Sequence, residues 1–333
     1  MSYAVRTRIQ PDVRGLDPTI YVLEDDAGGC AEVWPALGFN CFRRQIQRDG
    51  QALELLYQAP DLFDNGRPTR SGIPILFPFP NRIRDGRFTW DGREYQLPRD
   101  DPAKKNAIHG FACRHPWRIA GLGADDVCAW ITGVFRCSMD APDSLALWPA
   151  DHELRLTLRL SAGSLRLEAE VFNPDRVGLP FGLGYHPYFR MPFAASYSAE
   201  DCLLTAPSRS FWKLEESLPT GERQPVDASC DLNSPRRFVD MNVDTVLTDL
   251  PAATEGMTER GVLRGASGAE LRLFCSEAFR DLVVFTPPHR QAFCIEPYTC
   301  PTDAVNLTAH GLDCGWLVLP PGQRWQAVVE MRI

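Results

Sequence analysis

Across residues 154–171 the chain alternates apolar and polar side chains with a period of two. Leu154, Leu156, Leu158 and Leu160 are spaced by Arg155, Thr157 and Arg159. Ser161-Ala-Gly-Ser164 interrupts, and then Leu165, Leu167, Ala169 and Val171 are spaced by Arg166, Glu168 and Glu170. Successive side chains of a strand point to opposite faces, so this pattern predicts a hairpin with one buried face and excludes a helix. The signal recurs. Phe88 and Trp90 are predicted to face Tyr95 and Leu97 across Asp91-Gly92, a dipeptide suited to a tight hairpin. Residues 271–275 and 282–285 read as further strands. Ala327, Val329, Met331 and Ile333 alternate with Val328, Glu330 and Arg332, predicting a last strand that ties down the C-terminus.

Glycine (25) and proline (28) punctuate the whole 333-residue chain, as a protein of many short strands and turns requires. There is no long amphipathic helical pattern, no fixed-period repeat and no low-complexity linker. The segment Ile73-Pro-Ile-Leu-Phe-Pro-Phe-Pro80 fits neither a helix interior nor a central strand, because proline has no N–H to donate. The expectation is an all-β fold: one large antiparallel β-sandwich domain over residues 1–333, with 98–106 and 207–231 as loop excursions. A broad sheet face in such a fold can hold a polar ligand.

Charge and cysteine usage narrow the partners. Thirty-five Lys and Arg against 43 Asp and Glu give a net charge of -8, the wrong balance for nucleic acid. No apolar run reaches the ~18 residues of a membrane span. The N-terminal residues lack the apolar core of a signal peptide, so a cytoplasmic location is expected. The 11 cysteines contain no CxxC pair, and Cys294 and Cys300, six apart, match no common zinc spacing. They read as buried reduced thiols, and no metal or other cofactor is expected.

No GxSxG, GxGxxG, Walker A or HExxH motif is present. What remains is acid–base chemistry by a histidine and a carboxylate. His109, in Ile-His-Gly-Phe, and His186, in Gly-Tyr-His-Pro-Tyr-Phe, sit among aromatics and glycines, as a structural histidine or a pocket histidine both can. Glu296 ends an apolar run, where a carboxylate is costly unless it is paired or handles protons. Arg82 and Arg84, two apart, point one way on a strand, toward one site or toward solvent.

These residues fall in segments that resemble the aldose 1-epimerase (mutarotase) family. The matching motifs are Gly72-Ile-Pro-Ile-Leu-Phe-Pro-Phe-Pro-Asn-Arg-Ile83 with Asp85-Gly-Arg-Phe88, Ile108-His-Gly-Phe111, Gly184-Tyr-His-Pro-Tyr-Phe189, Leu218-Pro-Thr-Gly-Glu222, and Cys294-Ile-Glu-Pro-Tyr-Thr299 with Thr302-Asp-Ala-Val-Asn-Leu307. They run in the family's order from about residue 70 to 310. The resemblance implies a large antiparallel β-sandwich of the galactose mutarotase-like kind and an isomerase that interconverts the α and β anomers of a free hexose. It implies His186 as the acid on the ring oxygen and Glu296 as the base on the C1 hydroxyl, on opposite sides of the hemiacetal. It implies Arg82, His109 and Asp244 as sugar contacts, a small-molecule sugar as the substrate, and no cofactor. On these roles His186 is expected to be charged and Glu296 ionised at neutral pH, with burial opposing both. The chain departs from galactose mutarotases in Tyr185-His-Pro-Tyr-Phe, where they carry Asn-His-Thr-Tyr-Phe, and in Pro78-Phe-Pro80 before the Asn-Arg pair, so galactose itself is not implied. A hexose-6-phosphate epimerase, with Arg84, Arg87, Lys104 and Lys105 as candidate phosphate contacts, and a non-catalytic sugar-binding homologue are the alternatives.

Overall fold

The alternation at 154–171 forms the centre of a nine-stranded antiparallel sheet. The strands Glu153–Ser161 and Ser164–Phe172 pair with Leu160 opposite Leu165, and their leucines are buried to 1% exposure or less. The C-terminal strand Arg324–Arg332 lies between Ser164–Phe172 and Glu270–Ser276, so the end of the chain is held inside the sheet. The structure is a computed structural model and describes residues 1–252, 256–265 and 268–333.

A second sheet of eight strands positions the site. Its spatial order is Leu218–Pro225, Ser210–Glu215, Asp244–Thr248, Asp281–Phe285, Ala292–Tyr298, Gly184–Tyr185 and Ile75–Leu76, with Tyr188–Arg190 also pairing along Ala292–Tyr298. Period two divides its residues. Leu282, Val284, Phe293 and Ile295 pack into the same core as the hairpin leucines. Val283, Cys294 and Tyr298 belong to smaller clusters on the other face. A five-stranded sheet from the first 54 residues adds Leu23, Val33 and Leu53 to the main core. The fold is the expected all-β antiparallel sandwich. Its helices are short: Leu62–Asn65, Cys137–Asp140 and Ala304–Ala309 are the α-helices among the described residues. None is long and apolar enough to cross a membrane.

The proline-rich segment sits at an edge, as its missing donors require. Its two-residue strand Ile75–Leu76 ends the eight-stranded sheet. The segment contributes acceptors: Pro74 O receives the His186 N–H at 3.0 Å, and Pro78 O receives the Gly182 N–H at 2.7 Å.

Two expectations need correction. Residues 207–231 are not a loop excursion, for they hold the paired strands Ser210–Glu215 and Leu218–Pro225 at the sheet edge. Their burial does not alternate, so the apolar alternation that marks a half-buried strand is missing there. In the second hairpin Phe88 does oppose Tyr95, with the rings stacked at 5.0 Å, but Trp90 opposes Arg93 and Leu97 lies beyond the strand end. Residues 98–106 do form an excursion without strands, tied by the Asp101 carboxylate, which accepts from the Lys105 and Asn106 N–H groups.

The hairpin core gives a stability prediction. Leu158→Ala removes a side chain with 1% exposure and should cost about 2–5 kcal/mol in urea unfolding. Arg159→Ala breaks only a partly exposed pair with Glu168 and should cost under about 1 kcal/mol.

Candidate functional site

Glu296 follows the face rule of its strand. In Ala292–Tyr298 the core takes Phe293 and Ile295, so Cys294, Glu296 and Tyr298 share the outer face. The register sets Glu296 opposite Val283, and Asp244 opposite Phe285 one strand further on. His186 lies just past Gly184–Tyr185, on the other side of Ala292–Tyr298, with its N–H fixed by Pro74 O. Gly184 permits this approach: a Cβ there would lie 2.6 Å from the Tyr298 ring.

Arg82 and His109 arrive from the cover of this face. The strands Arg82–Ile83 and Ala107–Ile108 pair with Ile108 opposite Arg82, so His109 follows directly beside Arg82. His109 holds φ at +65°, with its N–H on Asn81 O at 2.8 Å. The next residue has to be glycine, since Gly110 has φ +64° and a Cβ there would sit 2.3 Å from Phe77 O.

The five residues meet in one place. His186 Nδ1 lies 3.3 Å from Glu296 Oε1, with side chains 9% and 2% exposed. The ring N–H does not point at the carboxylate, so the contact is close without being an aligned hydrogen bond. The His109 and His186 rings are 5.7 Å apart. The Arg82 guanidinium is close enough to act on His109, Asp244 and Glu296 through its charge. Its Nε lies 3.6 Å from Asp101, a buried carboxylate. The Nδ1 atoms of His109 and His186 are both buried without a protein hydrogen-bond partner. Buried polar atoms normally find one, and hydroxyls of a polar ligand would supply it.

Burial governs the charges. It pushes His186 down to about 3, so the ring is neutral in the free site. It pushes Glu296 well above the usual carboxylate range, a rise that the Tyr298 hydrogen bond opposes and the Asp244 charge reinforces. The expectation of a charged His186 and an ionised Glu296 is therefore reversed: desolvation outweighs mutual attraction, and the single proton of the pair rests on Glu296. Burial, and after it the positive charge of Arg82, likewise lower His109. Asp244 is raised by surrounding protein and lowered by Arg82. The residue itself is exposed at the rim of the site.

The acid and base candidates are neighbours, close enough for one hemiacetal to meet both. Arg84 does not join Arg82. The strand stops at Ile83, Asp85 turns at φ +55°, and Arg84 pairs with Asp303 at 3.6 Å and donates to Pro219 O. Two-residue spacing aligns side chains only while a strand continues. The departure at Tyr185 carries no information on the ligand, because Tyr185 packs into the main core.

Cys294, Tyr188 and Tyr298 lie inside the matching motifs, but the resemblance assigns them no role. Cys294 Sγ, a His186 ring nitrogen and a Glu296 oxygen lie within 4.8 Å of one another, atoms of metal-binding kinds. Burial raises the Cys294 thiol well above its ordinary value, as it does Glu296. Such a site favours protonated donors, whereas a cation needs thiolate and carboxylate. Period two was the available signal, since 294, 296 and 298 share a face.

The family model described as aldose 1-epimerase matches residues 44–332. The chain is 24% identical to YihR, an uncharacterized protein of Escherichia coli, over 70% of this chain and 71% of that one. It is 29% identical to the galactose mutarotase of Rattus norvegicus over 46% of this chain, a match that spans 43% of that mutarotase. In fold it is similar to a galactose mutarotase-like protein from Clostridium acetobutylicum, with a TM-score of 0.87 at 23% identity over 99% of this chain and 98% of that one. With the family's pattern running from residue 44 to 332 on a fold shared along the whole chain, the protein belongs to the aldose 1-epimerase family.

Proposed function

We propose that the protein is an aldose 1-epimerase that exchanges the α and β anomers of a free hexose. The observation that carries this reading is the buried contact of His186 with Glu296 at 3.3 Å. Both oxygens of a hemiacetal sit on one carbon, so two neighbouring proton carriers can each reach one of them. Glu296 takes the C1 hydroxyl proton while His186 gives one to the ring oxygen. The C1–O5 bond breaks as the C1 carbonyl forms. The aldehyde turns about C1–C2, and the reverse transfers close the ring on the other face. The pair starts and ends with one proton, and no covalent intermediate or cofactor enters. Arg82 and His109 bind sugar oxygens, and Asp244 at the rim accepts from a hydroxyl.

The surface charges favour an unphosphorylated sugar. Arg84 is paired with Asp303, Arg87 with Glu94 and Lys105 with Glu216, so three of the four cations that would meet a phosphate, all but Lys104, already have carboxylates. The cysteines other than Cys202 are free thiols, which suits a reducing compartment, and we place the reaction in the cytoplasm. Anomer-exchange NMR on free and 6-phosphorylated hexoses tests the substrate class. Exchange confined to phosphorylated sugars would overturn this reading.

Three outcomes are expected. Glu296→Gln and His186→Asn should each lower kcat by about a hundredfold or more with little change in KM. His115→Asn and His310→Asn, outside the site, should remain near wild type. In pH profiles corrected for spontaneous exchange, kcat/KM should stay level as pH falls through 6.5. An ordinary imidazole protonates there, but His186, held down to about 3 by burial, does not. Treatment with chelator should leave the rate unchanged; loss restored by zinc would show that His186, Cys294 and Glu296 hold a working metal.

A further inference from the structure

We infer that Tyr298 and Tyr188 are positioning residues that choose which atom of Glu296 and of His186 meets the sugar. Each stands two residues beyond the group it serves. The Tyr298 hydroxyl donates to Glu296 Oε2 at 2.6 Å. The Tyr188 hydroxyl is 3.1 Å from His186 Nε2, and the two rings stack at 4.4 Å. One side of each proton carrier is thereby occupied. The atoms left over, Glu296 Oε1 and His186 Nδ1, are the two that lie 3.3 Å apart. Nδ1 is also the buried ring nitrogen without a partner. The assignment is therefore Oε1 for the C1 hydroxyl and Nδ1 for the ring oxygen.

The hydroxyls suit the task chemically. With Nδ1 as the atom that gives and takes the proton, Nε2 keeps its hydrogen throughout, and the Tyr188 hydroxyl accepts from Nε2–H in both the charged and the neutral ring. It holds the imidazole in one orientation through both halves of the cycle. Tyr298 donates to an ionised carboxylate, a charge-assisted bond that eases loss of the Glu296 proton. The buried Tyr298 ring packs over Gly184, where a Cβ would lie 2.6 Å from it. The groups facing Glu296 are Tyr298, His186, Cys294, Asp244 and Arg82. Only Tyr298 among them is placed on Oε2 by a hydrogen bond.

The proposal rests on the acid–base reading of His186 and Glu296, and the test separates the two. Tyr298→Phe keeps the ring and removes the donor. We expect kcat to fall about tenfold or more with KM nearly unchanged, and the alkaline limb of the pH profile, where the pair loses its proton, to rise by about one pH unit. The acid limb should stay in place. In a Glu296→Gln background the same change should cost nothing further. Tyr188→Phe should lower kcat about tenfold without moving KM. Tyr185→Phe should be neutral, for that buried hydroxyl has no partner. Should Tyr298→Phe fold poorly, 3-fluorotyrosine at 298 preserves the shape and strengthens the donor, and the alkaline limb should then move down. A Tyr298→Phe enzyme with wild-type kcat and limbs, or a fluorotyrosine enzyme with an unmoved limb, overturns the positioning role while Glu296→Gln remains inactive. A fully active Glu296→Gln enzyme overturns the acid–base reading beneath it.

Discussion

A carboxyl group 2% exposed on the outer face of a sheet is the constraint from which the rest of the site follows. An unpaired carboxylate there would be prohibitively costly, so Glu296 keeps its proton in the free site and carries a phenol on one oxygen. Its other oxygen faces an imidazole that burial has likewise stripped of charge. The strand can supply Cys294, Glu296 and Tyr298 to this face only because Phe293 and Ile295 anchor the alternate positions in the core. A slip of one residue would send Glu296 into the leucines of the main core.

The cover over that face is as constrained as the face itself. Prolines supply carbonyls without needing donors, so residues 72–80 can end the sheet and still hold the His186 and Gly182 N–H groups. The Gly110 backbone packs against Phe77 so closely that no side chain fits, which pins His109 beside Arg82. Asp101 ties the excursion at 98–106 and places a buried carboxylate near the same arginine. Short irregular segments thus do the positioning that helices perform in other folds, each through one or two backbone contacts.

What could be read in advance follows from the same physics. The hairpin at 154–171 was plain because one of its faces is buried and the other is wet. The edge hairpin at 210–225 was hidden because its burial does not alternate: Trp212 is buried among half-buried neighbours, and the register shifts between Trp212 and Leu214. The five site residues were legible through motifs, and the structure gathers all of them. Arg84 misled because two-residue spacing was applied where the strand had already ended at Ile83. Cys294 and Tyr298 were within reach of the face rule once Glu296 was singled out, but the meeting of two strands was not. The charge states were out of reach altogether, since they depend on how completely the fold removes water from His186 and Glu296.

Those charge states bear on the direction of the chemistry. On the proposed roles, ring opening consumes a carboxylate and an imidazolium and leaves a carboxylic acid and a neutral ring. That product pair is the form burial favours, so desolvation assists the step that breaks the C1–O5 bond. The cost falls earlier, in moving the proton from Glu296 to His186 to charge the pair. Arg82 and the Tyr298 hydroxyl both favour the ionised carboxylate and lower that cost. Asp244 opposes it, but from the solvated rim where its charge is screened. The free site therefore rests in the uncharged pattern, and Arg82 and Tyr298 narrow the gap to the charged one. An anomer exchange uses both patterns in turn, the charged one to open the ring and the uncharged one to close it.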